Sequence, residues 1–109
     1  MGVDVVLVRV ERKGTSPKRR HARQVAVVLD TQDRFARLCV SSSLPMLSRA
    51  DPYGTLVLTR QETNQFVSEV EAESVRSEDP ELKDLLGEVL GLARCCEAQE
   101  GSELRLEGD

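Results

Sequence analysis

Two consecutive amphipathic helices are predicted by residues 59–98, which read TRQETNQFVSEVEAESVRSEDPELKDLLGEVLGLARCCEA. Thr59 and Glu62 have the spacing of a capping box, so the first helix is expected over about residues 60–75. Asp79-Pro80 is an N-cap followed by proline at the first helical position, which predicts the start of a second helix. Apolar residues recur at the helical period in both segments, so each helix is expected to pack one face on a core. The apolar arcs contain Thr63, Phe66, Val67, Val70 and Ser74 in the first helix, and Leu82, Leu85, Leu86, Val89, Leu90, Leu92, Ala93 and Cys96 in the second.

Short apolar and β-branched runs on either side of these helices predict strands. The runs are residues 3–10, 24–29, 55–58 and 102–107, and residues 33–40 are expected to add a short helix. In the last run Leu104 and Leu106 alternate with polar residues, as in a half-buried strand. Strands at both ends of the chain, around two consecutive helices, indicate an α+β fold. We expect a small mixed or antiparallel sheet with two consecutive helices packed on one face.

The composition is that of one globular domain spanning residues 1–109. Hydrophobic residues make up 39% of the chain and charged residues 31%, and no apolar run is long enough to span a membrane. The first four residues lack the basic region of a secretory signal. Three cysteines, of which Cys95 and Cys96 are adjacent, do not form a disulfide framework. Free thiols in a reducing cytoplasm are therefore expected.

Charge is distributed unevenly along the chain. Residues 1–54 carry ten Lys and Arg against five Asp and Glu, whereas residues 55–109 carry five against fourteen. The positive charges concentrate in a basic loop expected at about residues 13–24, which predicts either a solvated loop or a site for a polyanion or nucleic acid. The net charge of −4 and the absence of interleaved aromatic residues disfavour nucleic acid. The candidate polyanion-binding residues are Arg12, Lys13, Lys18, Arg19, Arg20 and Arg23.

Three carboxylates lie beside the apolar stripe of the first predicted helix. Glu62, Glu69 and Glu73 fall within about 40° of arc at about 100° per residue. Their position at the boundary between core and solvent indicates an acidic rim that docks a basic partner protein, with a purely solvated helix face as the alternative.

No arrangement of residues in the sequence predicts catalysis, a cofactor or a metal. The glycines do not form a phosphate-binding motif. His21 and the three cysteines lack the spacing of a zinc site. Nucleophilic catalysis needs a base, and no pattern connects His21, the single histidine, with Ser41–Ser43. We therefore expect a chain that is not an enzyme and that binds no cofactor.

Residues 44–55 read LPMLSRADPYGT, and Asp51-Pro52-Tyr53-Gly54 within them predicts a turn. This block resembles that of small actinobacterial proteins with the pattern L-x-R-[VA]-D-P-Y-G, for which no activity is established. The opening GVDV and the aliphatic final strand after a cysteine-containing helix are also similar. The resemblance implies a small single-domain protein that is similar in build to bacterial immunity proteins, which neutralise toxins.

Arg49, Asp51 and Tyr53 are the candidate binding residues within this motif. The structural alternative is that Asp51 caps the turn, Arg49 pairs with Asp51 or Asp109, and the Tyr53 ring is packed. Together with the acidic rim, the motif supports the leading hypothesis, a non-enzymatic cytoplasmic domain that binds a basic partner protein as an immunity-type inhibitor. The alternative hypothesis is a polyanion- or nucleic-acid-binding regulatory module that uses residues 12–23. An enzyme with an unrecognised site is a third hypothesis.

Overall fold

The fold is α+β, with a four-stranded antiparallel sheet against which two helices pack. The computed structural model describes residues 2–12 and 20–108. Its strands are β1 (Val3–Arg12), β2 (Arg20–Val28), β3 (Thr55–Leu58) and β4 (Ser102–Gly108). Its helices are α1 (Arg34–Ser41), α2 (Arg60–Arg76) and α3 (Pro80–Ala98), and a 3₁₀ helix, η1, covers Leu47–Arg49.

The strand order is β2-β1-β4-β3, so the first and last strands lie at the centre of the sheet. In β1, Val5 is opposite Val28 of β2 on one side and Leu106 of β4 on the other. The β1–β4 ladder ends at Arg9, whereas the β1–β2 ladder continues to Arg12. Residues 10–12 and 20–22 therefore form a two-stranded ribbon at one end of the sheet.

The loop expected at residues 13–24 is shorter than predicted, because β2 begins at Arg20 rather than Gln24. Pairing with β1 holds these polar residues in an extended conformation, and an edge strand such as β2 tolerates charged side chains. Residues 13–19 lie outside the part of the chain that the structure describes.

The helix boundaries follow the predicted caps. The hydroxyl oxygen of Thr59 accepts a hydrogen bond from the Glu62 amide at 3.1 Å, and the Glu62 carboxylate accepts one from the Thr59 amide at 2.9 Å. The Asp79 carboxylate accepts a hydrogen bond from the Glu81 amide at 3.1 Å. α3 ends at Ala98, and Gly101 has a φ of 79° in the turn before β4.

The core lies between the sheet and the helices. α2 contributes Phe66 and Val70, and α3 contributes Leu86, Val89, Ala93 and Cys96, against Val5, Leu7, Leu104 and Leu106 of the central strands. Phe35 of α1 meets Phe66 edge to face, with ring centroids 6.3 Å apart. Within the described ranges, no helix combines the length and the apolar character that crossing a membrane requires.

A buried aspartate attaches α1 to the sheet. The Asp30 carboxylate, 5% exposed, accepts hydrogen bonds from the amides of Phe35 (3.1 Å) and Ala36 (2.8 Å) in α1. It also accepts one from the Val3 amide of β1 at 3.1 Å. Gly2 is required here, because a Cβ would come within 2.2 Å of the Asp30 carbonyl oxygen. Asp30 thereby orients the helix that borders the surface described below.

Candidate protein-binding surface

The carboxylates predicted to form an acidic rim on α2 are engaged inside the domain. Glu69 is 6% exposed, and its carboxylate accepts hydrogen bonds from the amides of Met46 and Leu47, both at 2.9 Å. The side-chain amide of Gln65 donates to the same carboxylate at 2.9 Å. Glu69 therefore holds the start of η1 against α2.

The other two carboxylates of this group also have partners within the domain. Glu73 is 8% exposed and lies 3.5 Å from the guanidinium of Arg76. Glu62 forms an ion pair with Arg49, and this contact together with the Thr59 amide lowers the pKa of Glu62 to about 2. The helical period correctly places the three carboxylates beside the apolar stripe of α2. It does not show that η1 packs against this side of the helix.

The Asp51-Pro52-Tyr53-Gly54 motif forms the predicted turn and joins it to the sheet. The Asp51 carboxylate accepts a hydrogen bond from the Tyr53 amide at 2.8 Å, and the Gly54 carbonyl accepts one from the Gly108 amide at 2.7 Å. Gly108 passes so close to the turn that a Cβ would lie 2.3 Å from the Pro52 carbonyl carbon. Asp51 therefore has the turn-capping role of the structural alternative.

The structural alternative is wrong for Tyr53, and for Arg49 its pairing with Asp51 is not observed. Arg49 pairs with Glu62 instead of Asp51, and Asp109 lies outside the described residues. The Tyr53 side chain is 73% exposed instead of packed. Tyr53 is therefore the motif residue that is available for contact with another molecule.

Tyr53 borders a surface depression of about 660 Å³ together with α1. Val40, at 71% exposure, faces the same depression. Arg37 also lines it, and the Arg37 guanidinium donates a hydrogen bond to the Gln32 carbonyl at 2.7 Å. The full lining consists of Asp33, Ala36, Arg37, Val40, Pro52 and Tyr53.

Two further depressions continue this surface around α1. One of about 260 Å³ shares Arg37 with the first and is also lined by Arg34, Leu38, Ser41, Asp79 and Leu82. The next, of about 320 Å³, shares Arg34 and reaches Leu29 and α3. The shared arginines make the three depressions contiguous. We call their lining residues the α1 surface.

The α3 end of the α1 surface is acidic. Arg34 is paired with Asp79 at 2.7 Å and with Glu81 at 2.5 Å. Asp84 and Glu88 are exposed and have no ion-pair partner among the residues that the structure describes. Leu29, at 57% exposure, adds an apolar contact beside them. The acidic region is therefore on α3, whereas the sequence indicated α2.

The sequence analysis missed Val40, Arg34, Arg37, Asp84 and Glu88. The sequence held a partial signal that Val40 is exposed. Val40 lies about 100° around the helix axis from Cys39, so it is off the apolar face of the predicted short helix. No comparable signal was present for Asp84 and Glu88, since an acidic helix face is usually solvated.

The predicted polyanion site is divided between described and undescribed residues. Arg12 and Arg20 are opposite each other in the β1–β2 register, and Arg23 is opposite Arg9. Lys13, Lys18 and Arg19 lie outside the described residues. The register therefore places Arg12 and Arg20 in the two-stranded end of the sheet, whereas Arg23 lies beside the part of β1 that is also paired with β4.

The cysteines do not form a reactive or metal-binding group. Burial, with a smaller contribution from the charge of Asp30, raises the pKa of the Cys39 thiol to about 12. Burial also raises the pKa of Cys96, whereas Cys95 is exposed. Among the described residues, no three or more His, Cys, Asp or Glu side chains are grouped as a metal site would require.

The α1 surface combines exposed aromatic, aliphatic and charged side chains. Exposed tyrosine and arginine are the side chains that interfaces favour, and exposed valine and leucine supply apolar area. The carboxylates lie at one end of this surface, where charge affects the encounter with a partner. No protein-family model, curated protein or solved structure matches the chain.

Proposed function

We propose that this chain is a non-enzymatic, cytoplasmic protein-binding domain that docks a basic partner protein on the α1 surface. In this proposal binding inhibits the partner, as an immunity protein inhibits a toxin. The observation that carries the proposal is that Val40 and Tyr53, 71% and 73% exposed, line the same depression.

Burial of these two side chains supplies the favourable free energy of binding. Fully burying an aliphatic side chain contributes about 1.5–3 kcal/mol, and tyrosine is among the residues that most often dominate an interface. Both lie on backbone that the domain already holds in place, α1 through Asp30 and the turn through Gly108. Little ordering of the domain is therefore needed on binding.

The exposed carboxylates define the charge of the partner. Asp84 and Glu88 lie at the α3 end of the surface without intramolecular ion pairs among the described residues. They attract lysine or arginine side chains and thereby accelerate association. Glu62, Glu69 and Arg49, which the sequence placed in the binding site, serve instead the packing of η1 on α2.

The apolar part of the proposal is tested by matched exposed valines. The tagged chain is used to isolate partners from the cells that express it, and each candidate is then purified and titrated by calorimetry. Val40→Asp and Tyr53→Ala should weaken binding at least tenfold, because truncating a hot-spot residue costs about 2 kcal/mol or more. Val75→Asp is the control, since Val75 is 81% exposed on α2 and lies outside the α1 surface.

The acidic part is tested by charge reversal. Asp84→Lys with Glu88→Lys should slow association and reduce its dependence on salt, because charges at an interface rim act mainly on the encounter rate. Glu71→Lys with Glu100→Lys changes the net charge equally at exposed positions outside the α1 surface. Equal binding by wild type, Val40→Asp and Tyr53→Ala, or equal slowing by both charge reversals, would overturn the proposal.

A further inference from the structure

The outer edge of β2 is the longer of the two edges of the sheet. β2 pairs with β1 on one side, and no strand among the described residues pairs with its other side. The opposite edge strand, β3, has four residues, whereas β2 has nine. Amides and carbonyls along an unpaired strand edge can pair with a further strand. β2 is therefore the edge to which a further strand can most readily be added.

The C-terminal half of β2 is apolar and exposed. Residues 24–29 read QVAVVL and contain neither a proline nor a charged side chain, two of the devices that commonly keep edge strands apart. Val25, Val27 and Leu29 are 48%, 36% and 57% exposed. The register with β1 skips Val25, so β2 has a bulge there and regular strand geometry from Ala26 onward. A further strand would cover apolar side chains that the domain leaves in contact with solvent.

Charges without partners lie at the two ends of this apolar edge. Arg23, just before the apolar run, is exposed and has no ion-pair partner among the residues that the structure describes. Beyond the other end of β2, residues 29–31 line the depression of about 320 Å³ that also contains Asp84 and Glu88 of α3. The edge is thus positive at one end and negative at the other.

Arg23 lies on the face of the sheet that carries α3. It is opposite Arg9 in the register, and Arg9 is two residues from the core residue Leu7 on the same strand. Side chains two residues apart on a strand point to the same face. The unpaired cation and the unpaired carboxylates are therefore on the same side of the sheet.

We propose that two copies of this chain pair through their β2 edges, antiparallel and related by a two-fold axis at Ala26 or Val27. Such an axis reverses one edge against the other, so the positive end of each copy meets the acidic end of the second copy. With the axis at Ala26, Arg23 is opposite residue 29 of the second copy, and with the axis at Val27 it is opposite residue 31. Both of these residues line the acidic depression, so either register brings Arg23 to Asp84 and Glu88.

Charge selects this arrangement over other pairings of two copies. In the antiparallel pair the two Arg23 side chains are about six residues or 20 Å apart, which is beyond the Debye length of about 8 Å. A parallel pair in register would place them side by side. Each copy uses the same edge, so the assembly closes at two copies and does not grow into a filament. Pairing of one short edge makes a small interface, so the dimer is weak.

This inference concerns the chain by itself and does not rest on the proposed function. Where both hold, the basic partner protein and the second copy compete for Asp84 and Glu88, because these carboxylates belong to the α1 surface and to the dimer. The experiments below use the purified chain alone, so their outcome is independent of whether a partner protein exists.

Sedimentation equilibrium of the purified chain at about 1 µM to about 1 mM tests the pairing of the edges. The wild type should change from monomer to dimer within this range. Val27→Lys should raise the dimer Kd about tenfold or more, because it places a lysine against an apolar side chain or a second lysine. Val57→Lys is the control, since Val57 is 45% exposed on β3, the other edge strand, and should leave the Kd unchanged.

A charge swap tests the ion pairs. Arg23→Glu should raise the dimer Kd about tenfold or more, and so should Asp84→Lys with Glu88→Lys, since close charge pairs at an interface are coupled by about this factor or more. The chain with all three substitutions should dimerise as the wild type does, because the two-fold axis again joins opposite charges. All of these side chains are exposed, so the variants should keep the wild-type Tm in dilute solution.

Three outcomes would overturn the proposal. The first is a wild type that is still monomeric at about 1 mM. The second is equal weakening by Val27→Lys and Val57→Lys. The third is a triple variant that dimerises no more tightly than Arg23→Glu alone.

Discussion

At the scale of single residues, two buried carboxylates organise the segments that helical and strand periodicity leave undefined. Asp30 joins the start of α1 to β1, and Glu69 joins η1 to α2, each by accepting several backbone hydrogen bonds. A buried carboxylate is costly unless its hydrogen bonds are complete. Both groups are therefore expected to matter more for stability than the exposed carboxylates.

Glu69→Gln should lower the free energy of unfolding by about 1–3 kcal/mol, because an amide accepts fewer and weaker hydrogen bonds from Met46 and Leu47 than a carboxylate does. Urea unfolding followed by circular dichroism measures the change. Glu71→Gln is the control, since Glu71 is half exposed and its ion pair with Arg94 contributes about 1 kcal/mol or less. Equal losses in the two variants would contradict the role given to Glu69.

At the scale of secondary-structure elements, α3 is the main support of the sheet. It contacts β1, β2 and β4, and it contributes the fully buried side chains of Leu86 and Val89. Leu86→Ala should lower the free energy of unfolding by about 2–5 kcal/mol, because apolar burial is reduced and a cavity is left behind. Leu92→Ala, at a half-buried position, should cost less. Indistinguishable urea midpoints for both variants and the wild type would show that this face of α3 is not a core element.

Most elements were predictable because their signals are local. The capping box at Thr59 and the Asp79-Pro80 start predicted both long helices, and the run at residues 55–58 predicted β3 without error. The extension of β2 to Arg20 was not predictable, since pairing with β1 rather than local propensity extends it. The strand order and the packing of η1 against Glu69 were not predictable either, because both depend on contacts between residues that are distant in sequence. The candidate site was less predictable than the fold for the same reason. The sequence identified Tyr53 as a candidate binding residue, but it did not show that α1 lies beside Tyr53.

At the scale of the whole molecule, the cysteines should be neither crosslinked nor metal-bound. Cys39 and Cys96 are buried and Cys95 is exposed, so a thiol reagent at neutral pH should react rapidly with Cys95 in the folded chain and with all three cysteines in denaturant. The Tm should be the same with and without reductant or chelator. Rapid reaction of a second cysteine in the folded chain, or a fall in Tm with chelator, would contradict this description.

The strand order also determines when the domain can form during synthesis. The centre of the sheet joins Val3 to Gly108, and β3 has β4 as its only neighbour in the described sheet. On the ribosome, the β1–β2 hairpin and the helices emerge while one side of β1 and both sides of β3 still lack a partner strand. Contacts this distant in sequence form slowly, and the waiting strand edges can pair with other chains. A chain interrupted before Ser102 is therefore expected to aggregate as soon as it is released, rather than persist as a partly folded domain.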